Sequence, residues 1–357
     1  MGTSTETPKL VAAAVAAGLV MTTAAAHASG QVRCDRLEFE VALAPDEPAD
    51  YQVVGWLCAE PPLAGKTVQV LVHGATYDHH LWDFPYQPEN YSYVRAANEA
   101  GYATLNLDRL GHGQSSRVPG DDLDLAAGAY AIHQVIEDVR AGEHVARGLG
   151  RVQPERILLA GASLGANISW LTAARHGGID ALLIAGSAHT FGIGMDRVLR
   201  ITPPVELDPQ LGDEDFPAGY FTTVPGTRGA AYYELAFADP QVVVFDEALK
   251  QTITSGEMES IPESLTVASE IDVPTLITMG DHDDIFCEQP TCSETGSLDD
   301  ELDFYSDDAC PELLIVPEAG HNLNMHDGAP TYFEQVTEWA DRFVGPDKHS
   351  PPTESCP

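Results

Sequence analysis

Residues 161–165 read Gly-Ala-Ser-Leu-Gly, between an apolar run, Arg156 to Ala160, and a stretch of helical character, Ala166 to Ala174. A serine centred in a glycine-flanked strand-to-helix turn is lifted above the end of a sheet. The small residues at Gly161 and Gly165 let the helix pass close to the strand. The helix N-terminus then directs backbone N–H groups at the place where an oxyanion would form. The five-residue pattern also arises by chance, so its weight comes from the strand-turn-helix setting. Two further segments complete a constellation. The run Pro274 to Met279 ends in Gly280-Asp281-His282-Asp283-Asp284, and Glu312 to Pro317 leads into Glu318-Ala319-Gly320-His321. Serine, carboxylate and histidine thus follow one another along the chain, the latter two after strand-like runs. Such a set performs nucleophilic chemistry: His321 takes the proton of Ser163, and a carboxylate fixes the imidazole tautomer and stabilises the imidazolium.

The elements that must position these groups alternate. Apolar runs near 67–73, 103–107, 155–160, 180–185, 274–279 and 312–316 read as strands; stretches at 88–100, 124–148, 164–176 and 331–344 read as helices. Two N-terminal strands, Val32 to Leu43 and Tyr51 to Cys58, form an expected hairpin. The class is α/β, a mostly parallel sheet with helices on both faces. There are no repeats. Residues 188–268 break the alternation and are rich in Pro, Gly and aromatics, including Phe191, Phe216, Tyr220, Phe221, Tyr232, Tyr233 and Phe237.

Further segments carry a family resemblance. Val68 to Ala75 ends in His73-Gly74-Ala75, and Asp108-Arg109-Leu110-Gly111-His112-Gly113-Gln114-Ser115 has the form Asp-x-x-Gly-x-Gly-x-Ser. With the serine turn and the order Ser, Asp, His, the chain resembles the α/β-hydrolase superfamily over about residues 31–345. The resemblance implies an α/β-hydrolase fold, with a core at 29–187 and 269–345 and an inserted cap at 188–268 roofing an apolar pocket. It implies that Ala75 and Leu164 donate the oxyanion-hole N–H groups and that Asp283 is the acid, with Asp281 and Asp284 as alternatives. A serine nucleophile points away from the dehalogenase and epoxide-hydrolase branches, which use a carboxylate there. The expected reaction is hydrolysis of a carboxylic ester through an acyl-serine; amides, lactones and carbon–carbon bonds are alternatives on the same triad. A peptidase would need a charged pocket group, for which Glu206 and Glu234 are candidates. The contrasting class is a non-catalytic binding protein on this fold, which would not need all three residues.

Six cysteines allow 15 connectivities. The topology of the implied fold selects Cys34 with Cys58, Cys287 with Cys292, and Cys310 with Cys356, the middle bridge bracing the loop behind Asp283. None of the six belongs to the triad, and a metal site at Cys287 and Cys292 lacks a second ligand pair. No cofactor or metal is expected. His79 and His80 are set aside as ligands because adjacent side chains project in different directions. Asp281, Asp283, Asp284 and Glu288 lack the alternation of a calcium loop, and Asp299, Asp300, Glu301 and Asp303 read as a solvated face.

Lys9 precedes the run Leu10 to Ala26, and Ala26-His27-Ala28 has a small-x-small cleavage pattern, so residues 1–28 read as a secretory signal peptide. An even cysteine count agrees with an oxidising compartment. The mature protein is expected to be extracellular, without a stable membrane anchor. The 357 residues carry 55 Asp and Glu against 18 Lys and Arg, a net charge of −37. Such a surface repels nucleic acid and anionic membranes and favours neutral or apolar ester substrates; it also suits high salt, though drift in composition gives the same signature. The tail 346–357 reads as disordered apart from Cys356.

Overall fold

The central strands are apolar along their whole length, as strands covered on both faces must be. In the computed structural model, which describes residues 1–2, 31–142, 144–350, 352–354 and 356, contacts divide the chain into two units, Met1–Gly30 and Gln31–Pro357. The expected signal peptide, residues 1–28, lies outside the described residues except for Met1 and Gly2. Among the described residues of the second unit, eight strands form the main sheet: β1 (Arg33–Val41), β2 (Tyr51–Ala59), β3 (Val68–Val72), β4 (Ala103–Asp108), β5 (Ile157–Ala162), β6 (Ala181–Ala185), β7 (Thr275–Gly280) and β8 (Glu312–Val316). Their order is β1-β2-β4-β3-β5-β6-β7-β8. The pairs β1–β2 and β2–β4 are antiparallel, and the remainder are parallel.

Side-chain alternation divides the core into two layers. Val70, Val72, Leu105, Leu107 and Leu159 face α2 (Leu125–Ala141) and α3 (Leu164–Arg175). Leu71, Leu158, Ala160 and Leu183 share the opposite layer with α1 (Tyr93–Glu99) and α8 (Ala329–Phe343), whose buried stripe is Tyr332, Phe333, Val336, Trp339, Ala340 and Phe343. Between β6 and β7 lie α4 (Gly194–Arg200), α5 (Arg228–Tyr232), α6 (Pro240–Ala248), α7 (Ser255–Ser264) and a two-residue strand pair at 220–221 and 253–254.

Several sequence expectations need correction. The helix expected over 88–100 is broken at Ser92, which is extended (ψ 107°) and caps α1 by accepting the Arg95 N–H. The helix expected over 124–148 stops at Ala141, because Gly142 adopts φ 69° and its N–H bonds back to Asp138 and Val139. Beyond it, Val145–Ala146 pairs with Gly150–Arg151. The tail expected to be disordered lies against the core in its described part: the Lys348 N–H donates to Gly65, and Thr353 and Glu354 donate to the Arg342 carbonyl. Glu301 does not join a solvated face; it is buried and accepts from the His189 backbone and ring nitrogens at 2.9 and 2.8 Å.

Disulfides join Cys34 to Cys58, Cys287 to Cys292 and Cys310 to Cys356. The first links directly opposed residues of β1 and β2. This bridge closes a loop with a sequence separation of 24, so replacing both cysteines by serine is expected to cost about 3 kcal/mol. A lowered denaturant midpoint under non-reducing conditions would report that loss, and an unchanged midpoint would contradict it.

Candidate active site

Ser163 joins β5 to α3 with φ 52° and ψ −122°, a conformation that L-residues rarely occupy. Its neighbours make the turn possible. A Cβ on Gly161 would stand 2.3 Å from the Gly165 carbonyl oxygen, and one on Gly165 would stand 2.4 Å from that of Val72. Any side chain at either position would push the helix off the sheet. The Ser163 N–H donates to Ala185 at 2.7 Å, tying the turn to β6. Leu164 opens α3, so its N–H has no acceptor within the helix.

Register brings the other two groups to the same end of the sheet. Val72 is opposite Gly161, Gly161 opposite Ile184, and Gly280 opposite Val316. Asp283 lies in the turn after β7, its N–H donating to Gly280 at 3.0 Å and its Oδ1 accepting from Ile285 at 3.1 Å. Its Oδ2 is 2.8 Å from His321 Nδ1, and His321 Nε2 is 2.9 Å from Ser163 Oγ. With Nδ1–H facing the carboxylate, the Nε2 lone pair is left to accept the serine hydroxyl. The two neighbouring carboxylates are engaged elsewhere. Asp281 accepts from the Ser293 N–H at 2.9 Å, and Asp284 holds Arg197 through two bonds of 2.7 Å. Of the three acids, Asp283 is the one hydrogen-bonded to His321, and Asp281, Asp283, Asp284 and Glu288 do not form a common ligand group among the described residues.

Ala75 follows Gly74 in the loop after β3 and, like Leu164 and Ser163, borders one cavity. His73 braces this loop from behind: Nδ1–H donates to Gly74 at 2.9 Å, and Nε2 accepts the Arg109 N–H at 3.0 Å. The Arg109 guanidinium reaches the Gly74 carbonyl and pairs with Glu257 of α7, which also meets His112. Burial works against the Glu257 charge, yet Arg109 and then His112 hold its carboxyl far below the usual range. Arg109 and Glu257 were not singled out as functional from sequence, although Thr254-Ser-Gly-Glu257 has the capping-box form that the structure realises. His326 was missed without any local signal. It donates from Nδ1 to Asn322 at 2.8 Å and accepts at Nε2 from Gly320 and Glu234, both at 3.0 Å, clamping the turn that bears His321.

The cavity above Ser163 has an empty volume of about 1020 Å3, open mouth included. Its wall combines Leu164 and Phe286 with Met195, Val198 and Met258 from the segment between β6 and β7; among the described residues His321 is the one histidine in it, and no Asp, Glu, Lys or Arg lines it. Of the aromatics expected as a roof, Phe191 and Tyr232 line it. Tyr220 and Phe216 instead pack with Val205 and Leu211 in a separate small core, and Tyr233 meets Met325.

His79 and His80 do not diverge as expected. Both sit in one 3-10 turn, with ring centroids 4.1 Å apart, and with Asp78 they bring ligand atoms within 4.8 Å of one another. Carboxylates occupy both Nδ1 atoms, Asp108 at 2.8 Å from His79 and Asp78 at 2.7 Å from His80.

Residues 69–335 match the model of the alpha/beta hydrolase family. The chain belongs to that family. No curated protein matches this sequence. Among solved structures, this alpha/beta hydrolase resembles a thermophilic esterase from Thermogutta terrifontis at 16% identity and a TM-score of 0.52, covering 85% of this chain and 97% of that one. An esterase from Exiguobacterium antarcticum matches at 17% identity and a TM-score of 0.53, over 81% and 95% of the two chains. A monoacylglycerol lipase from Paleococcus ferrophilus matches at 17% identity and a TM-score of 0.53, over 86% and 98%. The shared feature at these identities is the fold.

The histidines behind the site give the hydrolase a pH signature. Burial, more than any other cause, holds the His73, His112 and His326 imidazoles below their ordinary value. The unfolded chain takes up protons below about pH 6.5 that these native imidazoles resist. Their contribution to stability is therefore complete above that pH and lost as pH falls below it. His80 acts oppositely: Asp78 overcomes the effect of burial and raises it. With these three and His176, which burial also lowers, against one, thermal unfolding is expected at lower temperature at about pH 5.5 than at about pH 7, and a flat Tm across this window would contradict the assignment.

Proposed function

We propose that this alpha/beta hydrolase is a secreted serine hydrolase that cleaves carboxylic esters with apolar acyl or alcohol groups. The observation that carries the reading is the hydrogen-bonded line Asp283–His321–Ser163 at the wall of an uncharged cavity. A substrate carbonyl above Ser163 meets the hydroxyl oxygen as His321 Nε2 removes its proton. Asp283 stabilises the imidazolium and keeps the ring oriented. The tetrahedral oxyanion is stabilised by the N–H groups of Ala75 and Leu164, a contribution of about 3 kcal/mol per donor. His321 returns the proton to the departing alkoxide, leaving an acyl-serine. Water, deprotonated by the same imidazole, attacks the acyl carbon and releases the acid.

The lining favours esters over peptides, since among the described residues it offers no Asp, Glu, Lys or Arg to hold a charged terminus. Glu234 faces His282 at 3.5 Å, and Glu206 and Glu234 are not among the lining residues. The esterase and lipase identities of solved proteins with this fold agree with the ester reading. Residues 188–268 act as the cap between the core parts 29–187 and 269–345, followed by the tail 346–357. Export through a signal peptide at residues 1–28 is supported by the three disulfides. Among the described residues no helix is long and apolar enough to cross a membrane.

Initial rates on p-nitrophenyl esters from acetate to palmitate, beside a folded Ser163→Ala variant, test the proposal. Turnover by the parent and a loss of about 10^4-fold or more in the variant are expected. Equal rates in both proteins would overturn the serine mechanism. Inactivity on every ester, with turnover of an amide, lactone or carbon–carbon substrate that needs Ser163, would replace the substrate class alone.

A further inference from the structure

Thr76 directly follows the proposed oxyanion donor Ala75 and adopts φ 61°. A β-branched residue in this left-handed region is an outlier that persists only where its surroundings hold it. Those surroundings come from the insertion. The Thr76 N–H donates to Thr252 at 3.0 Å, and its carbonyl accepts from the Gln251 N–H at 2.9 Å. Its hydroxyl accepts from Arg228 Nη1 at 2.8 Å, and the same nitrogen lies 3.4 Å from the Thr76 carbonyl oxygen.

Arg228 is fully buried, an unusual place for one of only 18 cationic side chains in a chain of net charge −37. Its other edge forms a forked pair with Asp246 of α6, Nε to Oδ2 at 3.0 Å and Nη2 to Oδ1 at 2.9 Å. The guanidinium lies 4.2 Å from the ring centre of Tyr77 and 5.2 Å from that of Tyr232, two residues of the cavity wall. Tyr77 donates to Asp246 at 3.2 Å and accepts from Asn322 at 2.6 Å, and Asn322 follows His321 in the chain. One polar network thus touches the loop after β3, the insertion and the turn that carries the histidine.

We propose that Arg228, anchored by Asp246, is a positioning residue of the oxyanion hole. It holds Thr76 in its left-handed conformation and so aims the Ala75 N–H, which makes the geometry of the hole a property of the insertion and not of β3 alone. The proposal rests on the serine-hydrolase reading of Ser163. Arg228 touches no reacting atom. It acts on the residue after the donor, through the Thr76 hydroxyl and carbonyl.

Arg228→Lys tests this. Lysine keeps a cation beside Asp246 but, as a single-point donor, cannot fork onto Asp246 while holding Thr76. With a turned-over ester, kcat is expected to fall about 10- to 100-fold with KM little changed, part of the effect of losing one oxyanion donor. Inhibition by a trifluoromethyl ketone, whose oxyanion would occupy the hole, is expected to weaken by the same factor. Adding Thr76→Gly, which adopts positive φ without strain, is expected to restore part of kcat. Should Arg228→Lys fail to fold, Arg228→Met with Asp246→Leu carries the same test without stranding a buried charge. A folded variant with unchanged kcat and ketone affinity and only a lower Tm would overturn the proposal while leaving the hydrolase intact. A parent protein without Ser163-dependent turnover would remove both readings together.

Discussion

One residue in a conformation that its own backbone disfavours organises the site. At φ 52° and ψ −122°, Ser163 holds its hydroxyl above the sheet end because the strand before it and the helix after it are pressed together. That approach depends on the missing side chains of Gly161 and Gly165, the latter packed against the backbone of β3. Leu164, the first residue of that helix, and Ala75 both line the cavity. Parallel pairing then fixes which loops can reach the serine. With β6, β7 and β8 in register beside β5, the turns after β7 and β8 emerge on the serine's side of the sheet, and a side chain of ordinary length spans the gap.

The segment between β6 and β7 is fastened to that end of the sheet by ion-paired arginines, two of them buried and Arg197 partly exposed. Glu257 pairs with Arg109 and Arg197 with Asp284, while Arg228, paired with Asp246 inside the same segment, reaches Thr76. Pairs of this kind contribute little net stability, because desolvation offsets most of the attraction. Removing one partner is far more damaging, so they specify a single arrangement more than they strengthen it. Arg197 shows how local this is. It takes both oxygens of Asp284 while its neighbour Asp283 turns to His321, so two adjacent carboxylates have separate tasks.

The sheet and the chain order of Ser163, Asp283 and His321 were legible in the sequence because both rest on local signals. Buried parallel strands are continuous apolar runs, and the serine turn has a short glycine spacing. The choice among Asp281, Asp283 and Asp284 was only ranked, since it depends on which side chain leaves the turn towards His321. Helix ends were less legible. Gly142 stopped α2 in a stretch with helical composition, and the Ser92 cap divided another. The insertion was the least legible part. Tyr220 and Tyr232 look alike in sequence, yet one packs in a satellite core and the other faces the cavity, a difference set by long-range packing. Glu301 looked solvated among acidic neighbours, and only the fold brings His189 to it. Arg228 meets Thr76, far away in sequence, and His326 links its own turn to Glu234; neither lies in a recognisable motif.

In the proposed mechanism everything turns on Ser163 as the activated nucleophile. Treating the intact protein with a fluorophosphonate at neutral pH and mapping the adduct by peptide mass spectrometry tests it most directly. One adduct is expected, on the peptide containing Ser163, and it should be lost when His321 is replaced by alanine. An adduct on another residue, or labelling of Ser163 that is indifferent to His321, would contradict it.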